Sequence, residues 1–273
     1  MNHLPLFKYL GFLLLLSLVS CRAPHVHHSP AYLQQYQHLS LIRHPLNTLE
    51  AESPYTLTIY VRAPRLDYTS FLKLCHSTQV HPVDGNRNGD VGHAWVRLVG
   101  QRDGETLCVE GGHTGDFGHS CPKYAVGIRK LIEKGDPNPI RYIWTTKHDG
   151  IFQPGNGGHS PTFAAKFNLT QKQFEKALRV VNSYDYQTYR LLDRQCASFA
   201  VAVAQAAEIE LDHTLDIEIE PVIRLYGCSV PLWSDPYYRR IKLTTPDILE
   251  RSLIYKVADG QARAIPLGGG GRG

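Results

Sequence analysis

The stretch that decides the fold is "RLLDRQCASFAVAVAQAAEI", residues 190–209. It sets Cys196 directly after the polar residues 193–195 and at the head of an alanine-rich run. Phe199 and Val203 recur at helical spacing, which predicts a tightly packed, mostly buried helix from Cys196 to Ile209. A helix N-terminus places partial positive charge beside such a thiol, lowers its pKa and favours the reactive thiolate. We therefore predict that Cys196 is a nucleophile; a small core residue and half of a disulfide are the alternatives.

A second stretch, "VGHAWVRLVGQRDGETLCVEGG" (91–112), supplies the partner that a nucleophilic thiol requires. Trp95 and the valines suit strands, and the Asp-Gly pair at 103–104 predicts the turn of a hairpin. His93 lies at the start of the first strand, after a glycine that permits close approach. Its imidazole can accept the thiol proton, so we predict a Cys196–His93 pair.

A third polar group is expected to orient the imidazole. The second strand of the hairpin runs antiparallel and returns residues 109–113 to the side of His93. Its polar side chains there are Glu110 and His113. The symmetry of the turn does not choose between them; we prefer His113, with Glu110 close behind.

Weaker patterns along the rest of the chain indicate the fold class. Alternating residues predict a strand at 55–63, and apolar runs predict strands at 140–147 and 163–169. Thr170, with Gln173 three residues later, predicts a capping box at the start of a helix. Residues 111–122 are predicted as a glycine-rich loop, and the tail from about 220 as mostly irregular. Strands followed by helices predict an α+β fold.

The N-terminus has the pattern of an export signal. An apolar run from Leu10 to Leu16 is too short to span a membrane, which takes roughly 20 apolar residues. Its end, 18–21, resembles a bacterial lipoprotein box, which implies cleavage before Cys21 and a lipid on that cysteine. We predict a signal peptide at 1–20, a lipidated tether at 21–52, a catalytic domain at 53–245, and a C-terminal extension with a disordered tail at 246–273. The expected location is the bacterial cell envelope, with the protein anchored to a membrane.

Composition narrows the partners. The chain has 273 residues and a formal net charge of +4, with no dense basic run, so we expect no nucleic-acid partner. An odd number of cysteines follows Cys21, which predicts at least one thiol without an intramolecular partner. A Cys108–Cys121 disulfide is favoured, with pairing to Cys75 or Cys228 also open.

The two stretches together resemble a known superfamily. A "GHAWV" strand, a hairpin partner, and then "Y-x-L-x-x-x-x-C-x-x-F-A" from Tyr189 is similar to the circularly permuted papain-like cysteine enzymes of the NlpC type. That branch includes lecithin:retinol acyltransferase-like proteins and bacterial lipoproteins. The resemblance spans about 90–210 and implies a papain-like fold in which an antiparallel sheet packs on the cysteine helix. It implies a third group on the strand after the histidine strand and a supporting role for Tyr189; Gln195 stands where the family commonly has Asn.

These observations lead to one main functional prediction. The chain is expected to be a lipid-anchored thiol hydrolase that cleaves peptide or amide bonds, with cell-wall peptides as substrate, through an acyl-enzyme on Cys196. Backbone N–H groups at the start of the cysteine helix are expected to hold the oxyanion. No cofactor and no metal are expected. The alternatives are a lipid acyl hydrolase or acyltransferase of the same fold, and a catalytically silent envelope binding protein.

Overall fold

A computed structural model describes residues 53–83, 85, 90–102, 105–115, 120–225 and 227–267. The predicted signal peptide, the tether and Cys21 lie outside these ranges, as does the glycine-rich end from 268. In the described ranges no helix has both the length and the apolar character needed to cross a bilayer.

The central element is a six-stranded antiparallel sheet in the order β10-β5-β1-β2-β3-β4. Its strands are β1 (Thr56–Arg62), β2 (His93–Arg102), β3 (Glu105–Gly115), β4 (Gly150–Pro154), β5 (Phe163–Asn168) and β10 (Arg263–Ala264). The predicted hairpin is confirmed as β2 and β3, with Val96 opposite Gly111. The α+β class with an antiparallel sheet, predicted from the sequence, is therefore confirmed.

Three helices cover the apolar face of this sheet. They are α3 (Gln171–Ser183), α4 (Cys196–Ala206) and α5 (Pro246–Ala258). Thr170 and Gln173 form the predicted capping box at the start of α3. Helix α4 packs on β2 and β3, and its alanines let it approach the sheet closely. The core between them joins β1 and β2 side chains such as Ile59 and Val96 to Phe199 of α4.

A second apolar cluster is built from smaller elements, and many of its residues line a cavity that Cys196 and His93 also border. These elements are α1 (Phe71–Gln79), α2 (Ser120–Glu133), a 3-10 helix (Pro139–Trp144) and two strand pairs. The pairs are β6 (Thr214–Glu218) with β9 (Arg240–Thr244), and β7 (Val222–Leu225) with β8 (Cys228–Pro231). A short 3-10 helix also spans Pro236–Arg239.

Three local predictions are wrong. Residues 140–147 are not a strand: Pro139 begins a 3-10 helix, and Ile140 and Ile143 are buried one turn apart on it. The interval 111–122 is not all loop, because β3 runs to Gly115 and α2 begins at Ser120. The tail from 220 is not irregular, since its prolines stand at strand ends and at the starts of helices.

The predicted domain boundary at 245 is also wrong. Residue 246 starts α5, and Leu249 and Leu253 on that helix are fully buried in the main core. Strand β10 then adds an outer strand to the sheet beside β5. The residues predicted as an extension are therefore part of the same folded unit as far as the described chain runs.

Candidate active site

Cys196 is the first residue of helix α4, and Gln195 caps that helix. The Gln195 side-chain oxygen Oε1 accepts a hydrogen bond from the Ala197 N–H at 2.6 Å and from the Cys196 thiol at 3.2 Å. The Gln195 N–H in turn donates to the Ser198 hydroxyl at 2.7 Å, which completes a capping box. These bonds fix the start of the helix and hold the sulfur in one place.

The other end of the Gln195 amide ties the site to a different layer. Its Nε2 donates to the Thr244 carbonyl at the end of β9 at 2.6 Å, and Gln195 is buried. Gln195 thus connects the cysteine helix to β9. A longer side chain than Asn spans this gap while still capping the helix.

The Cys196 sulfur is faced by backbone N–H groups of Ala94, Ala197 and Cys196 itself, which lower the pKa of the thiol. Removal from solvent outweighs them and raises the pKa of Cys196 to about 12. The predicted lowering of this pKa by the helix N-terminus is therefore wrong in net direction. At neutral pH the thiol is protonated.

His93 is the first residue of β2 and is 4% exposed. Burial, and secondarily the charge of His159, lower the pKa of His93 to about 3. The imidazole is therefore neutral at neutral pH. Because the sulfur lies against the amide of Ala94, the next residue on β2, the structure brings the cysteine and histidine segments together in one site. Both side chains border the same cavity, which has a volume of about 380 Å³.

The two ring nitrogens of His93 differ in their surroundings. Nε2 is buried and has no hydrogen-bond partner among the described residues. It faces the backbone of Gly112 on β3 so closely that a Cβ at that position would lie 3.1 Å from Nε2. Nδ1 is therefore the nitrogen left to interact with the thiol or with a substrate.

His93 is instead flanked by aromatic rings. Its ring centroid lies 5.8 Å from Trp95, at an interplanar angle of 18°, and 4.8 Å from His159, at 27°. Trp95 itself stacks on Tyr60 of the neighbouring strand at 5.1 Å. This arrangement sets the plane of the imidazole by stacking.

The two side chains predicted as the third group do not orient His93 through Nε2. Side chains alternate along β3, so His113 projects to the face opposite the one on which Gly112 meets His93. His113 is fully buried, shares a hydrogen bond with the Tyr186 carbonyl at 3.0 Å, and packs edge-on against Tyr184, Tyr186 and Tyr189. Burial lowers the pKa of His113 to about 4. The pleat of the strand therefore turns His113 to the face opposite Gly112, and His113 borders the same cavity as His93 and Cys196.

Glu110 is occupied elsewhere. It lies opposite Arg97 on the hairpin and forms an ion pair with it, with Nε and Oε2 3.8 Å apart. Both side chains are partly exposed, so the pair contributes little to stability.

His159 is the residue that the sequence analysis missed. It follows Gly157 and Gly158, both with positive φ, and its N–H donates to the Asn156 carbonyl at 3.0 Å. Its Nδ1 lies 3.9 Å from a carboxylate oxygen of Asp90, and it borders the cavity. The available signal was a histidine preceded by glycine, the same context that marked His93.

The cavity wall is apolar over most of its area. Among the described lining residues, Asp90 is the one that belongs to the Asp, Glu, Lys and Arg types. The aliphatic and aromatic part includes Leu66, Phe71, Leu74, Val91, Ile128, Ile132, Ile140, Ile143, Leu191, Leu192, Ile223, Leu232, Ile241 and Leu243. Cys196 and His93 therefore border a space suited to an apolar group.

Two other predictions concern the described residues, a disulfide and the absence of a metal site. Within the described part of the chain Cys108, Cys196 and Cys228 are free thiols, so the predicted Cys108–Cys121 disulfide is not formed. No set of three His, Cys, Asp or Glu residues in that part is arranged to hold a metal ion.

Comparison of the chain with protein-family models, curated proteins and solved structures finds no match. The resemblance to permuted papain-like enzymes therefore stays a hypothesis drawn from motifs.

Proposed function

We propose that this chain is a thiol-dependent acyl hydrolase or acyltransferase that acts on long-chain acyl esters, with Cys196 as nucleophile and His93 as general base. The observation that carries the proposal is the apolar cavity of about 380 Å³, which is bordered by both side chains. Of the two substrate classes considered, it favours the lipid acyl class over cell-wall peptides.

The choice of substrate follows from solvation. Each methylene buried against the apolar wall contributes about 0.8 kcal/mol to binding, so a long acyl chain should bind more tightly than a short one. A cell-wall peptide would bring carboxylates and amines into a space where Asp90 is the one formally charged neighbour in the described lining. Those groups would lose hydration without matched partners.

The proposed chemistry starts from a neutral pair. The thiol of Cys196 gives its proton to Nδ1 of His93 as the sulfur attacks the acyl carbonyl, since neither group is charged at rest. The C–S bond forms, the ester C–O bond breaks, and His93 passes the proton to the departing alcohol. Water, or a second alcohol or amine, then resolves the thioester with His93 again accepting the proton.

Charge on the carbonyl oxygen is met by backbone N–H groups from the start of helix α4 and the start of strand β2. The N–H groups of Cys196 and Ala94 face the sulfur, whereas the Ala197 N–H is already bonded to Gln195. We assign the first two as oxyanion donors. In the resting protein the same N–H groups lower the pKa of the thiol, but burial outweighs them.

The order of elements supports a circularly permuted papain-like arrangement, because the histidine strand β2 precedes the cysteine helix α4 in an antiparallel α+β fold. A lipid on Cys21 in the bacterial envelope would hold the cavity near membrane lipids. Cell-wall peptide hydrolysis stays a prediction and forms the second arm of the test.

The test uses the purified full chain in detergent micelles with p-nitrophenyl butyrate, octanoate and palmitate, a phospholipid, and purified peptidoglycan. We expect kcat/KM to rise with chain length, and Cys196→Ser and His93→Ala to lower kcat by about 1,000-fold or more. Cys108→Ser, at an exposed thiol, is the matched control and should keep wild-type activity. Release of peptide fragments without acyl release, or equal turnover by Cys196→Ser, would overturn the proposal.

A further inference from the structure

We propose that His159 is a positioning residue: it stacks on His93 and holds that ring for proton transfer, in place of a hydrogen-bonding third group. The inference rests on the proposed function of Cys196 and His93, and it adds a residue that neither the hairpin nor the cysteine helix carries.

The first observation is that the usual means of orienting the imidazole is missing. Nε2 of His93 is buried, and within the described residues nothing bonds to it. Gly112 stands beside it, and any Cβ there would lie 2.8 Å from the Ala94 carbonyl and 3.1 Å from Nε2. Strand β3 therefore offers no room for a polar side chain at the place where an orienting group would stand.

The second observation is the stack itself. His159 is the closer of the two rings that flank His93, at 4.8 Å against 5.8 Å for Trp95. Trp95 is on the same strand as His93 and moves with it. His159 comes from a separate loop, so it is the contact that can fix the ring against rotation relative to the rest of the site.

The third observation is that His159 is itself held. Its Nδ1 lies 3.9 Å from Oδ2 of Asp90, and Oδ1 of Asp90 accepts a hydrogen bond from the Gly92 N–H at 2.8 Å. Gly92 directly precedes His93, with a φ of +86°. The loop histidine, the carboxylate and the start of β2 thus form a closed set of contacts around the catalytic ring.

The stack has an electrostatic consequence. His159, from the loop, is the titratable group shown against His93, and Asp90, from the segment before β2, and the Cys196 thiol, from α4, border the same cavity. Burial is the main cause of the lowered pKa of His93, and the electrostatic interaction with His159 lowers it further. Removing that interaction raises the pKa of His93, so its neutral, base-competent form needs a higher pH.

The experiment compares His159→Ala and His159→Phe with wild type in the full chain, with His148→Ala as control at an exposed histidine. The readouts are kcat and KM for a long-chain p-nitrophenyl ester across pH. We expect His159→Ala to lower kcat by about 10- to 100-fold with KM changed less than about twofold. His159→Phe keeps a ring and should recover most of kcat, while the acid limb of kcat/KM moves to higher pH in both variants.

His159→Gln provides a second non-aromatic variant in case His159→Ala does not fold. Wild-type kcat in the non-aromatic variants, or equal loss in His159→Phe and His159→Ala, would overturn the positioning role. If wild type shows no turnover that depends on Cys196, the proposed function itself fails. If wild type is active and the non-aromatic variants match it, only the inference about His159 fails.

Discussion

The sulfur of Cys196 lies against the backbone N–H of Ala94, the residue that follows His93 on strand β2. This contact joins the first turn of a helix to the first residues of a strand that is distant in the chain. It also places the thiol in surroundings that are poor in solvent, and burial there keeps the thiol protonated at neutral pH.

Cys196 should be a slow thiol in the free protein. Because burial raises its pKa to about 12, the thiolate fraction at pH 8 is small, and alkylation accelerates as the pH rises towards that value. We expect iodoacetamide to label Cys196 about tenfold or more slowly than the exposed Cys108 at pH 8, measured by mass spectrometry of digested protein. Rapid labelling of Cys196 that is already maximal at pH 7 would contradict the neutral resting pair.

Gln195 should contribute to stability as well as to the site. Replacing it with Ala removes the helix cap and leaves the Thr244 carbonyl without its partner, which should lower the free energy of unfolding by about 1–3 kcal/mol. Urea unfolding followed by circular dichroism measures the change. Gln205→Ala, at an exposed position near the end of the same helix, is the control; equal midpoints for the two variants would show that the cap contributes nothing.

His113 should make the fold sensitive to acid. Its folded pKa is lowered to about 4, whereas an unfolded histidine titrates near 6.5, so protons bind the unfolded chain first as the pH falls. His113 contributes about 3 kcal/mol to the free energy of unfolding, and this contribution is fully present above pH 6.5 and is lost as the pH falls towards 4. His113→Gln does not titrate, so its urea midpoint should fall less between pH 7.5 and 4.5. A parallel fall in wild type and variant would assign the acid sensitivity to other groups such as His93.

The cavity should determine which acyl chain lengths the protein prefers. Ala125 on α2 lines it, and Ala125→Phe would place a ring inside the space of about 380 Å³. We expect KM for p-nitrophenyl palmitate to rise about tenfold or more while that for butyrate changes little. Val126→Phe, which faces a different surface pocket from the next position on the helix, is the matched control. Unchanged chain-length preference in Ala125→Phe would place the acyl group elsewhere.

Local patterns predicted the parts of this fold that depend on neighbours in the chain. The hairpin of β2 and β3 follows from alternation and an Asp-Gly turn, and the capping box of α3 follows from Thr170 and Gln173. That the His93 and Cys196 segments would border one cavity could also be inferred, since both residues stand at the starts of regular elements.

The rest depends on tertiary contacts that no short pattern encodes. The pleat of the strand decides on which face of the sheet His113 lies. The register that places Gly112 beside Nε2 of His93 cannot be derived from turn symmetry alone. The stack of His159 on His93 requires a loop to return to the sheet. The net direction of the Cys196 pKa depends on how completely the assembled walls exclude water, which outweighs the helix N-terminus.

The late arrival of α5 and β10 has a consequence for biogenesis. Leu249 and Leu253 fill the space beneath strands β1 and β5, and residues 263–264 pair with β5. A nascent chain that has already made every proposed catalytic residue therefore still lacks part of its core. Maturation of the site should wait until residues 246–264 have been made, so premature termination near 245 would yield an inactive, protease-sensitive product despite an intact Cys196 and His93.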